Sequence, residues 1–145
     1  MIYFDVSYIV RLYFEDPGWE KVRALAGEAP IACSLHGEAE TVGAFHRKLR
    51  ERALTPSQYA HVLDQFALDC REGAYRWLPL SPAVIERVKT TYESLPRTVF
   101  LRSSDAIHLA CASENRFREI YSNDGHLLTA ASHFSLRGMD VVGGY

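Results

Sequence analysis

At 145 residues, with 48% hydrophobic and 23% charged residues, the chain has the size and composition of one globular domain, residues 1–145, and not of a disordered segment. Its apolar runs fall far short of the about 20 residues a membrane span needs. The opening Met1-Ile2-Tyr3-Phe4-Asp5 lacks the basic start and apolar region of a signal peptide, so a cytoplasmic protein without membrane contact is expected. The net charge of −2 argues against strong nucleic-acid binding through overall charge; positive charge is local, in Arg47-Lys48-Leu49-Arg50-Glu51-Arg52 and at Arg97 and Arg102.

Ile2 to Phe4 reads as a short buried strand. Ser7 is then placed to cap a helix carrying Ile9, Val10, Leu12 and Tyr13, broken at Asp16-Pro17-Gly18. Trp19, Val22, Leu25 and Ala26 follow at helical spacing, and Pro30 to Ser34 forms a second strand. Leu35, Val42, Phe45 and Leu49 mark one face of the next helix, which ends in the basic run. Thr55-Pro56-Ser57-Gln58 carries a full helix start: Thr55 as N-cap, Pro56 in the first turn and Gln58 closing a capping box. That helix runs through Val62, Leu63, Phe66 and Leu68 to Gly73.

Tyr75 to Leu80 alternates as a strand, and Ser81-Pro82 opens a helix bearing Val84, Ile85, Val88 and Tyr92. After a loop from Ser94 to Phe100 come a helix around Asp105 to Ala112 and a strand from Glu119 to Ser122. A short helix from Asp124 to Ser132 and a closing strand from Met139 to Val142 complete the chain. Short apolar strands alternating with helices specify an α/β fold around a parallel sheet. In such a sheet ligands bind beyond the carboxyl ends of the strands, at the switch point. Asp5 and Asp124 follow strands and belong at that edge.

Two more acids stand in helical segments. Asp105 lies among Ala106, Ile107, Leu109 and Ala110, the composition of a buried helix, although Ser103 or Ser104 as a cap would leave it an ordinary first-turn charge. Glu38 and Glu40 compete for one role, because residues two apart on a helix point about 200° apart. Glu38 groups with Leu35, Val42, Phe45 and Leu49, whereas Glu40 groups with Gly43, Ala44 and Arg47, so periodicity leans towards Glu38 as the inward residue.

Carboxylates near an apolar core need a compensating cation. Three or four at one edge suit Mg²⁺ or Mn²⁺, which take oxygen ligands and support in-line displacement at phosphorus. Asp5, Asp105, Asp124 and Glu40 are the candidate ligands, and Ser7 is a candidate donor to a bound water or phosphate oxygen.

The remaining chemistry is sparse. No HExxH or paired Cys/His spacing marks a zinc site, and no GxGxxG, P-loop or GxSxG occurs. Among six histidines only His108, three residues after Asp105, shares a face with an acid, and a packed histidine is the simpler expectation for it. Cys33, Cys70 and Cys111 read as free thiols.

Met1 to Tyr13, a hydrophobic strand ending in Asp5-Val6-Ser7 and running into a helix, resembles the opening of PIN-domain proteins, specifically VapC-type toxins. Glu40-Thr41-Val42-Gly43-Ala44-Phe45-His46-Arg47-Lys48 is similar to that family's second motif and selects Glu40 over Glu38. Leu101 to Ala110 around Asp105, and Ile120-Tyr121-Ser122-Asn123-Asp124-Gly125-His126-Leu127, match the remaining two. Val6 stands where Thr is usual, and Gly125-His126 where basic residues are often found.

The resemblance implies a PIN-like three-layer α/β/α sandwich with a central parallel sheet. It further implies a Mg²⁺- or Mn²⁺-dependent endoribonuclease acting on RNA, homodimerisation, and inhibition by a cognate VapB-like antitoxin that inserts a basic side chain or blocks the acidic site. Promoter DNA would be bound only through the antitoxin. The alternative is a non-catalytic regulatory module acting with a DNA-binding antitoxin. Phosphatases of the haloacid-dehalogenase type want a second Asp where Ser7 stands, and a receiver domain wants a partner Lys that is not evident.

Overall fold

The computed structural model describes residues 1–143. Five short strands form its centre: β1 (Ile2–Tyr3), β2 (Ile31–Ser34), β3 (Tyr75–Leu78), β4 (Glu119–Tyr121) and β5 (Arg137–Met139). β1 pairs with β2 and β2 with β3, all parallel, with Ile2 opposite Ile31 and Ile31 opposite Tyr75. β4 pairs in parallel with β5. A parallel bridge from Phe4 to Tyr121, with Asp5 N donating to Tyr121 O at 3.0 Å, joins the two sets. The order is therefore β3-β2-β1-β4-β5, and the chain reverses its direction of winding between β1 and β4.

Strand alternation divides the core in two. Tyr3, Ala32, Leu78 and Ile120 face one side with α5 (Pro82–Ser94), α6 (Ser103–Glu114) and α7 (Gly125–Ala130). Phe4, Ile31, Cys33 and Tyr75 face the other with α1 (Val6–Val10), α2 (Trp19–Ala26), α3 (His36–Arg50) and α4 (Pro56–Arg71). Helices on both faces of a parallel sheet make the expected three-layer α/β/α sandwich. No helix is long and apolar enough to cross a membrane among the described residues.

Helix starts follow the sequence where a cap was visible. Thr55 Oγ accepts from Gln58 N while Gln58 returns a bond to Thr55 N, and Ser81 accepts from Val84 N. The expectation for Ser7 is corrected: Asp5, in an extended conformation, is the N-cap of α1 and accepts from Tyr8 N at 3.3 Å. Ser7 lies one residue inside the helix, where its hydroxyl no longer reaches the orphan amides. Neither Ser103 nor Ser104 caps α6; its N-cap is Arg102, without a side-chain cap bond.

The closing strand is also displaced. β5 ends at Met139, three residues before the expected limit. Val141 and Val142 instead turn out of the sheet and pack against the α1–α4 core. Val142 fills the space over Gly18, where an added Cβ would lie 2.7 Å from Val142 Cγ1 and φ is +82°. Tyr8 Oη donates to Asp140 Oδ1 and accepts from Val141 N, and Asn123 Nδ2 donates to Asp140 Oδ2. The turn after β5 thereby ties α1 to the loop beyond β4.

The buried stripe of α3 is Gly37, Thr41 and Phe45, not the Leu35–Val42 face. Leu35 and Val42 are exposed. Gly37 is required by close approach: a Cβ there would fall 2.5 Å from Cys33 Sγ and 3.2 Å from His108 Cε1.

Candidate active site

The rim between the carboxyl ends of β1 and β4 is where the winding reverses, and it collects the acids. Asp5 is 6% exposed. Its Oδ1 accepts from Ser7 Oγ at 2.6 Å and Tyr8 N at 3.3 Å, and its Oδ2 from Ser122 Oγ at 2.5 Å. Burial pushes this carboxyl above the usual carboxylate range, against the opposing pull of the Ser122 and Ser7 hydroxyls. Ser122 Oγ in turn accepts from Asp124 N at 2.9 Å, and Ser7 Oγ from Asn123 N at 3.0 Å. Two serines thus lock the β1 end to the β4–α7 loop.

Asp124 caps α7, its Oδ1 accepting from His126 N and Leu127 N. The helix cap therefore uses one oxygen. The other, Oδ2, takes Arg102 Nη2 at 2.9 Å. Arg102 also places Nε 3.0 Å from Asp105 Oδ2, so one guanidinium spans two acids. Asp105 is buried in the first turn of α6.

Of the two competing acids, Glu40 is the one that meets α6. Its Oε1 lies 2.7 Å from His108 Nε2 and 3.0 Å from His36 Nε2, which binds it to α6. Partial burial pushes its carboxyl up, but the hydrogen bonds from His108 and His36 outweigh that and hold it at about 2. Glu38 points instead towards Cys70 on α4. Periodicity leaned the other way because the tight stripe of α3 is made of Gly37 and Thr41, which are not apolar side chains.

The sequence therefore brings Asp5, Asp124 and Asp105 to one rim through Ser122 and Arg102, with Ser7 on Asp5 and Glu40 joined to the same helix as Asp105. Among the described residues, the three side chains whose ligand atoms lie within 4.8 Å of one another are His36, Glu40 and His108, not three of the four acids. His36 was given no role in the sequence: beside Ser34 Oγ at 2.7 Å, its partner Ser104 O at 3.0 Å is brought to it by the fold. Arg102 was visible only as a local positive charge.

The donor set fits a hard divalent cation. Asp5 Oδ2 accepts one hydrogen bond, and Asp105 Oδ1 and Glu40 Oε2 accept none among the described residues. Among the described residues Arg102 pairs with Asp105 and Asp124 and not with Asp5, whose hydrogen-bond donors are the Ser7 and Ser122 hydroxyls and the Tyr8 amide. Open oxygens on separate elements around a carboxyl disfavoured as an anion suit Mg²⁺ or Mn²⁺.

Comparison with known proteins gives the fold a lineage. The structure is similar to FitAcB from Neisseria gonorrhoeae (TM-score 0.74, 15% identity, 96% of both chains covered). It is also similar to VapC20 of Mycobacterium tuberculosis, a sarcin–ricin-loop-cleaving toxin (0.66, 18%, 94% of this chain and 99% of that one). A toxin–antitoxin complex from Klebsiella pneumoniae aligns at 0.58 and 18%, covering 86% of this chain and 87% of that one. At such identities these likenesses speak for the fold alone. No curated protein matches the sequence. The PIN domain family matches residues 2–132, nearly the whole length, and the chain belongs to that family.

Proposed function

We propose that this PIN-domain protein is a Mg²⁺- or Mn²⁺-dependent endoribonuclease, the toxin of a VapBC-type toxin–antitoxin pair. The observation that carries the reading is Asp5: a buried carboxyl at the switch point, with raised proton affinity, neutral donors only, and three further acids on adjoining elements. Asp5, Asp105, Asp124 and Glu40 would hold the ion. Bound there, it would orient and acidify a water and offset charge building on the attacked phosphate.

The chain's own residues do the positioning. Ser7 and Ser122 hold Asp5 in one orientation, and Arg102 bridges the Asp105 and Asp124 carboxylates while no cation is bound. At about 2 the Glu40 carboxyl is a poor proton acceptor at neutral pH, so it serves as fixed negative charge and not as general base. None of the four acids lines the hollow at the start of β1 or the one between the segment after α1 and α4.

The named neighbours support the biological half of the reading, since two are described as a toxin or a toxin–antitoxin complex. A VapB-like antitoxin presenting a basic side chain would complement this rim. Homodimerisation, and promoter DNA bound only through the antitoxin, belong to the same proposal.

The test uses the folded, antitoxin-free chain with RNA and Mn²⁺ or Mg²⁺. Cleavage is expected with metal, is lost with chelator, and survives methylation of the 2′-hydroxyl beside the cut bond, because a water is the nucleophile. RNA left intact across metals and pH by well-folded protein would refute the proposal.

A further inference from the structure

His36 opens α3 and His108 lies in the middle of α6, yet their rings approach to 4.2 Å between centroids. Both turn Nε2 towards the same oxygen, Glu40 Oε1, at 3.0 and 2.7 Å. Behind each ring, Nδ1 meets a hydroxyl: Ser34 Oγ at 2.7 Å for His36 and Tyr3 Oη at 2.9 Å for His108. Tyr3 Oη also accepts from Ser34 N at 3.0 Å, which closes a ring of hydrogen bonds through both histidines, Glu40, Tyr3 and Ser34. His108 is 2% exposed, and Gly37 leaves the space its ring occupies. Such a convergence exceeds what is needed to orient one carboxylate.

We propose that His36 Nε2, His108 Nε2 and Glu40 Oε1 form a tridentate site for a borderline divalent transition ion, Zn²⁺ in particular. Two imidazoles and a carboxylate, with water in the open position, are a zinc donor set and a poor one for Mg²⁺. The hydroxyls at the two Nδ1 atoms are the partners that metal-bound histidines commonly use to fix their tautomer. With each imidazole neutral and its hydrogen on Nε2, binding would need no net proton release: that hydrogen would move to Nδ1, where Ser34 Oγ or Tyr3 Oη lies within hydrogen-bond reach, and the ion would take the place of both hydrogens beside Glu40. The Ser104 carbonyl, 3.0 Å from His36 Nε2, would lose that nitrogen as a donor and take its hydrogen bond from the ion's bound water instead. The inference is independent of the nuclease reading, although an ion held here engages a carboxylate that the reading assigns to the acid rim.

The full chain, without nucleic acid, is titrated with ZnCl₂ by calorimetry and with Co²⁺ by visible absorption. One ion per chain is expected, with nitrogen-ligated tetrahedral or five-coordinate Co²⁺ bands, and millimolar Mg²⁺ does not displace it. Ser34→Ala, which removes only the hydroxyl behind His36, weakens Zn²⁺ binding by about 10- to 100-fold, and His36→Gln weakens it more. Asp105→Asn leaves it unchanged. Melting followed by circular dichroism shows Zn²⁺ stabilising wild type and Asp105→Asn but not His36→Gln, whose metal-free melt shows that it folds. Absence of binding to wild type overturns the proposal. So does displacement by Mg²⁺, or binding that survives His36→Gln and is lost in Asp105→Asn, since the ion then sits among the acids.

Discussion

The Asp5 carboxyl ends β1 surrounded by two hydroxyls and one amide, whereas the Glu40 carboxyl on α3 lies between two imidazoles. Both are carboxylates withdrawn from water, and their proton affinities move apart. Burial wins at Asp5 and raises it; hydrogen bonds from His108 and His36 win at Glu40 and hold it at about 2. Neutral donors orient a buried anion but do not neutralise it. Asp5 therefore keeps the larger demand for positive charge, which the two imidazoles reduce at Glu40. The difference assigns roles: Asp5 is the primary anchor for an added cation, and Glu40 contributes charge that is already fixed.

The sharpest way to break the comparison is Asp5→Asn. RNA cleavage is expected to fall about a thousandfold, the equivalent of several kcal/mol of metal-borne stabilisation at ~1.4 kcal/mol per tenfold. Stability should move the other way. A raised carboxyl stabilises below its unfolded-state value and loses that contribution as pH rises through the folded one. In chelator, Asp5→Asn should thus melt above wild type at pH 8, with the gain fading as the pH is lowered. Equal melts at pH 8 and restored cleavage would each refute the assigned role.

His108→Gln probes the other carboxyl and is expected to be milder. The lowered Glu40 carboxyl stabilises above its ordinary value of 4.5, and the contribution is lost as pH falls towards about 2. Removing the imidazole should flatten the stability-against-pH curve in that window. Catalysis should fall in kcat by about 10- to 100-fold, as for other groups that orient a ligand, with KM little changed. An unchanged acid limb would show that His108 does not set the proton affinity of Glu40.

Arg102→Ala should have the smallest effect on folding. The guanidinium is 59% exposed, and such pairs contribute about 0–1 kcal/mol. Yet it neutralises Asp105 and Asp124 from within, so its loss should tighten Mn²⁺ binding measured by calorimetry. Weaker binding would mean that Arg102 holds the acids in place more than it competes for them.

These contrasts also explain what the sequence disclosed. Asp5 and Asp124 were legible because strand ends are visible as apolar runs, and the parallel topology sends both to one edge. Asp105 was legible as an acid among Ala106, Leu109 and Ala110. Glu40 needed family resemblance, since close packing on α3 uses Gly37 and Thr41 while the apolar Leu35 and Val42 face water. His36, four residues before Glu40, gave no usable sign, because its approach to His108 and Ser104 on α6 arises only in the fold. β5 was misplaced because Val141 and Val142 are apolar for the sake of Gly18 and α1, not of the sheet.

That last turn has a practical consequence for anyone handling the protein. Tyr8 spends its hydroxyl on Asp140 and Val141, and Asn123 reaches Asp140 from the loop that carries Asp124. Shortening the chain after Met139 would strip partners from both sides of the acid rim at once. A trimmed variant made for crystallisation or fusion would therefore report on a loosened rim, and its lost activity would be misread as damage to catalysis.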